Sequence, residues 1–183
     1  MNQNLKKLIY ASLCLALCIV LPFLTVNNPM LGNMLCLMHI PVLLCGFLCG
    51  WPLGLIVGAI APILRSLLFG MPPMYPTAVA MAFELAAYGF VAGLLYRLLP
   101  KKPWSVYVAL IVAMLLGRVV WGIAQYLLLG MQGKPFTLSA FLAGAFVNAW
   151  PGILLQIALI PLIIFALEKA GLVLNSKTPR VTE

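Results

Sequence analysis

The chain has no aspartate anywhere in its 183 residues, a single histidine, and only three glutamates, Glu84, Glu168 and Glu183. An aspartate dyad or an aspartate proton relay is therefore excluded. Charged residues make up 8% of the sequence, against about 25% in soluble domains. With 64% hydrophobic residues and a mean hydropathy of +1.13, a soluble globular fold is excluded as well. Also absent are the G-x-x-x-x-G-K-[ST] phosphate loop, the G-x-S-x-G nucleophile elbow and the H-E-x-x-H zinc helix. The chain therefore carries no ATP-binding loop of its own, and His39, within Met38-His39-Ile40-Pro41, has no evident catalytic partner. We expect no enzyme activity and no cofactor.

Cysteine is present but scarce in metal-binding patterns. Cys14, Cys18, Cys36, Cys45 and Cys49 all fall in apolar segments, and the pairs 14/18 and 45/49 are one helical turn apart. Such residues behave as small hydrophobes, whereas a zinc site wants closer spacing and further Cys or His ligands.

What is abundant is apolar sequence punctuated by proline, glycine and charge. The runs predict an all-α membrane protein, one domain over 1–183, with six spans at about 8–26, 34–49, 52–69, 77–98, 104–129 and 139–167. The first run follows Lys6 and Lys7 as in a signal peptide, but it is long, lacks an A-x-A cleavage pattern and precedes further spans, so it reads as retained. Most of the +8 net charge lies in three clusters: Lys6 and Lys7; Arg97, Lys101 and Lys102; Lys169, Lys177 and Arg180. Short basic loops mark the cytoplasmic face, so both termini are expected inside. The apolar sequence between the clusters leaves no basic stripe for nucleic acid. Loops at 26–33, 70–76 and 130–137 then lie outside; rich in proline and glycine, they are either shaped lids or plain connectors. The pairs Gly46/Gly50, Gly54/Gly58 and Gly89/Gly93 have the small-xxx-small spacing of closely packed membrane helices.

The informative residues are polar ones inside spans: His39, Arg65, Glu84 and Arg118, with Gln125, Asn148 and Gln156. An intramembrane charge is costly and faces the bundle interior or a wet cavity. Counted at about 1.5 Å per residue, the first four and Asn148 lie roughly 6–17 Å below the outer surface. Arg118, Trp121 and Gln125 share one stripe of the fifth span, and Met81, Glu84 and Tyr88 one of the fourth. Asn148 and Trp150 precede Pro151, which is expected to kink the sixth span. This mixture suits a small-molecule pocket that opens outward. The structural alternatives are an Arg65–Glu84 pair that merely holds the fold, and a His39 bonded to a backbone carbonyl. Two arginines against one glutamate leave a positive surplus that a bound carboxylate would balance.

Met38-His39-Ile40-Pro41-Val42, followed by Cys49-Gly50-Trp51-Pro52-Leu53-Gly54, on six short spans behind an N-terminal Lys-Lys, resembles the substrate-binding S components of energy-coupling-factor vitamin transporters. The resemblance covers nearly the whole chain and is closest to the pantothenate-type branch. It implies a plasma-membrane subunit that captures a vitamin from outside under the first and third outer loops. It also implies that the subunit works with a transmembrane coupling protein and two cytoplasmic ATPases, and topples in the lipid to release its cargo. The family's A-x-x-x-A docking pattern has its nearest match at Ser12 and Ala16. On this reading Arg118 or Arg65 binds a carboxylate; Glu84, His39 and Asn148 bond hydroxyl or amide groups; Trp121, Tyr88 and Trp150 form apolar walls, with Gln125 beside them. A B6-type vitamin is the near competitor. A pore or scaffold, or an intramembrane enzyme, are the alternatives of other classes.

Overall fold

A computed structural model describes residues 2–25, 32, 34–100 and 102–173. The sequence features at 26–31, Asn33, Lys101, Lys177 and Arg180 lie outside the described residues. Seven α-helices are present among the described residues, and no strand. Helix α1 (Gln3–Val20) begins where the Asn2 side chain accepts the Asn4 amide, and it tightens into a 3₁₀ turn at Leu21–Thr25. Helices α2 (His39–Cys49) and α3 (Trp51–Phe69) are separated by Gly50 alone, whose φ of 98° is open to glycine and strained for other residues. A π-helical turn at Met74–Ala78 leads into α4 (Val79–Leu98), followed by α5 (Pro103–Gly130). Then come α6 (Leu138–Leu142), a second π turn at Ala143–Val147, and α7 (Trp150–Lys169). Helices α3, α5 and α7 each carry proline in their first two positions, where the missing N–H has no intrahelical partner to lose.

Five segments are long and apolar enough to cross a membrane: Gln3–Thr25, Trp51–Phe69, Met74–Leu98, Pro103–Gly130 and Trp150–Lys169. These and the composition fit a multi-pass membrane protein. Two of the six predicted spans take a different form. The run at 34–49 yields only the 11-residue α2, about 16 Å long against a hydrocarbon core of about 30 Å. All eleven of its residues are buried, because α1, α3, α4 and α7 surround it; a helix apolar on every face belongs in such a place. The run at 139–167 is divided at Asn148 and Ala149. Pro151 has no amide donor to continue the preceding turn and falls at the second position of α7, where none is needed, so a new helix starts there after the π turn instead of one helix merely bending.

The packing of α2, α3 and α4 depends on glycine. A Cβ on Gly54 would sit 2.6 Å from the Gly89 carbonyl oxygen, one on Gly46 would meet the same oxygen at 2.6 Å, and one on Gly93 would lie 2.5 Å from the Trp51 amide nitrogen. Methyl groups on Gly58 or Gly89 would collide with the backbones of Leu85 and Gly54 respectively. These contacts bring three backbones together without a side chain between them.

Contacts between helix ends fix an alternating course. At one end Phe23 meets Phe69 edge-on with ring centroids 4.9 Å apart, and the Tyr75 hydroxyl donates to the Leu128 carbonyl at 2.7 Å. At the other end the Tyr96 hydroxyl donates to Glu168. Lys6, Lys7, Arg97, Lys102 and Lys169 all belong to helix ends on this second side.

Candidate functional site

Inside the first end, a polar cluster forms between α2, α4 and α5. Glu84 lies in the second turn of α4, 1% exposed, and its Oε1 is 2.9 Å from Arg118 Nη1 of α5. The same oxygen accepts the Tyr88 hydroxyl at 3.0 Å and lies 3.5 Å from His39 Nε2 at the start of α2. Helical spacing explains the local part: Glu84 and Tyr88 are one turn apart on α4. The Tyr88 ring lies over Gly117, where a side chain would collide with it, so the glycine before Arg118 is what lets α5 carry the guanidinium to the carboxylate. The His39 and Tyr88 rings are 5.3 Å apart.

Among the described residues, two buried polar groups within the bundle are left incomplete. Neither ring nitrogen of His39 makes a hydrogen bond of good geometry, the 3.5 Å approach to Glu84 being loose, and Gln125 Oε1 has no hydrogen-bond partner. Burying such groups unpaired costs about 1–3 kcal/mol each. Arg118 also borders a cavity of about 110 Å³ between α5 and α7, otherwise walled by apolar side chains such as Met114, Phe146, Ile153 and Ile157.

The other expected site residues lie elsewhere. Arg65 does not pair with Glu84: its Nη1 donates to the Ile19 carbonyl at 2.5 Å, and its guanidinium stands 4.8 Å from the centre of the Phe23 ring and 5.7 Å from that of Phe69. The positive surplus anticipated from two arginines is thus divided; Glu84 and Arg118 balance each other, and Arg65 is served by a carbonyl and two ring faces. Trp121 stacks near Phe141, centroids 6.2 Å apart, with Phe136 edge-on at 6.0 Å, and so ties α6 to α5. Asn148 and Trp150 are exposed at the break before α7. Ser12 and Ala16 are exposed on α1, where the Ser12 hydroxyl donates to the Leu8 carbonyl at 2.9 Å.

One member of the cluster had no signal in the sequence beyond being a cysteine near a histidine. Arg118 Nη2 lies 3.6 Å from the Cys36 sulfur, and Cys36 holds a φ of 49° that is uncommon outside glycine.

A buried ion pair flanked by unfinished hydrogen bonds, inside a membrane bundle and beside a cavity, is suited to holding a solute. Among the described residues no group of three or more His, Cys, Asp or Glu is placed to hold a metal ion. A family model described as ECF transporter, substrate-specific component, matches residues 6–173. The chain belongs to this family. No curated protein and no solved structure matches it. As an ECF S component it is a transport subunit and not an enzyme. Such components bind a small-molecule substrate and work with a membrane coupling protein and two ATPases.

Proposed function

We propose that this S component captures a water-soluble vitamin, pantothenate first among them, at the Glu84–Arg118–His39–Tyr88 cluster. The observation that carries the reading is that α2, α4 and α5 bring ionisable groups to one point in an apolar bundle and leave His39 there without good hydrogen bonds. Arg118 binds the vitamin's carboxylate, Glu84 and His39 bond its hydroxyl and amide groups, and Tyr88 and Gln125 complete the chamber, while Trp121 stays with Phe136 and Phe141 outside it. Arg65, Asn148 and Trp150 are outside the proposed chamber. The 110 Å³ cavity beside Arg118 is smaller than the roughly 300–1,000 Å³ of ordinary ligand pockets, so capture requires α5 and α7 to separate.

The topology follows from the same reading. The basic end faces the cytoplasm and the cluster lies toward the outside of the plasma membrane. Helix α2 serves as the short sixth crossing, and both termini are inside. The exposed Ser12 and Ala16 face of α1 docks the coupling protein, whose ATPases drive release inward.

One observation favours a second substrate. The Glu84–Arg118 pair is neutral as a unit, which suits an uncharged hydroxylated ring of the B6 type stacked near Tyr88. Mass spectrometry of small molecules released from the detergent-purified chain separates the two. Pantothenate at one per chain supports the first reading and pyridoxine the second. Titrations of both vitamins that show no binding to the ligand-stripped protein would overturn the pair of them.

A further inference from the structure

Arg118 divides its guanidinium unequally. One arm, Nη1, is on a carboxylate at 2.9 Å; the other, Nη2, is on a thiol sulfur at 3.6 Å. Sulfur is a weak acceptor, whereas carboxylate and carbonyl oxygens bond guanidinium strongly and, for a carboxylate, with added charge. Nη2 is therefore engaged by the poorest acceptor in the cluster. Cys36 itself sits in the left-handed region at φ 49°, a conformation that costs an L-residue of order 1–3 kcal/mol. Its carbonyl accepts the His39 amide at 3.0 Å, which couples the thiol's position to that of His39, 4% exposed and with both ring nitrogens lacking hydrogen bonds.

We propose that Cys36 is a specificity-determining residue that occupies the second arm of Arg118 until an oxygen of the substrate, carboxylate by preference, displaces its sulfur. The inference rests on the cluster being the substrate site, but not on which vitamin fills it. The sulfur keeps the guanidinium aimed without binding it tightly, and it excludes ligands that bring no acceptor strong enough to exchange.

The test uses alkylating reagents that differ in one group. Iodoacetate brings a carboxylate to the thiol, and iodoacetamide brings a neutral amide. In both reactions the Cys36 sulfur forms a bond to the methylene carbon, iodide leaves with the electrons of the C–I bond, and the thiol proton passes to buffer. The full chain in detergent is treated with each reagent, and every cysteine is followed by peptide mass spectrometry, with Cys14, Cys18, Cys45 and Cys49 as internal references. We expect Cys36 alone to favour iodoacetate, by about tenfold in rate relative to the Arg118→Gln variant. A Cys36 that reacts with neither reagent, or shows the same preference in both proteins, overturns the inference.

Should Arg118→Gln fail to fold, Cys36→Ala keeps the arginine and gives a second reading. Removing the competing sulfur tightens pantothenate binding about threefold or more, whereas Cys36→Asp fills the fork with its own carboxylate and abolishes it. Weaker binding in Cys36→Ala counts against the exchange. Iodoacetate preference at Cys36 in a chain that binds neither pantothenate nor pyridoxine would refute the vitamin assignment and leave the docking point standing.

Discussion

Arg118 and Glu84 form an ion pair at 2.9 Å with both side chains almost wholly removed from solvent. Removing one partner of such a pair leaves an uncompensated charge and costs about 3–5 kcal/mol, while replacing both with apolar residues of similar size is often neutral. Glu84→Leu and Arg118→Met should therefore each lower the thermal unfolding temperature in detergent sharply, and the double variant should recover most of the loss. Vitamin binding should not return with it. A double variant as unstable as the sum of the singles would show that the pair is not energetically coupled.

The glycines that join α3 and α4 predict a contrast within one residue type. Gly89→Ala forces a methyl into the Gly54 backbone, which has no flexible end to move aside, and overpacking of this kind costs about 1–3 kcal/mol or more. At Gly130 a methyl would meet nothing within 4 Å, and alanine is the better helix former by up to about 1 kcal/mol. We expect Gly89→Ala to reduce the yield of folded protein and its unfolding temperature, and Gly130→Ala to leave both unchanged or slightly raised.

These same glycines show what the sequence makes legible. Spacing alone marked 46, 50, 54, 58, 89 and 93 as packing positions between apolar helices; the structure puts 46, 54, 89 and 93 against one another's backbones and 58 against Leu85, whereas Gly50 is the turn between α2 and α3 at φ 98°. Spacing also put Glu84 with Tyr88, because contacts one turn apart belong to the helix itself. Partners across helices were not legible. Similar depth in the membrane matched Arg65 to Glu84, and only the rotation of α3 decides that Arg65 faces Ile19 and the two phenylalanines. Cys36 was hidden for another reason: its place beside Arg118 comes with a positive φ, which no hydropathy pattern reports.

Arg65 then has a distinct expected role. It fastens the end of α1 and the 3₁₀ turn after it to α3, through the Ile19 carbonyl and the Phe23 ring, with Phe69 of α3 on its other side; a planar guanidinium makes these contacts and an ammonium reproduces them poorly. Arg65→Lys should speed amide hydrogen exchange around residues 19–25 while leaving vitamin affinity within about twofold, well under the 1.4 kcal/mol of a tenfold change. A tenfold loss of affinity without faster exchange would move Arg65 into the binding site.

The orientation of the bundle is open to a direct measurement because its two ends carry exposed residues of opposite expected access. Gln132 is exposed after α5, at the end that holds the Glu84 cluster, and Lys102 is exposed before α5, among the basic residues. Cys36, which is expected to react with small alkylating reagents, is replaced by alanine in the labelling background, and the other four native cysteines are buried. A membrane-impermeant maleimide added outside should label Gln132→Cys at once and Lys102→Cys only after permeabilisation. Because α5 joins the two positions in a single helix of 28 residues, about 42 Å long, they fall on opposite sides of a hydrocarbon core of about 30 Å. The reverse labelling pattern would turn the cluster toward the cytoplasm and remove the basis for capture from outside, whereas labelling of both positions from outside would mean that α5 does not cross the membrane.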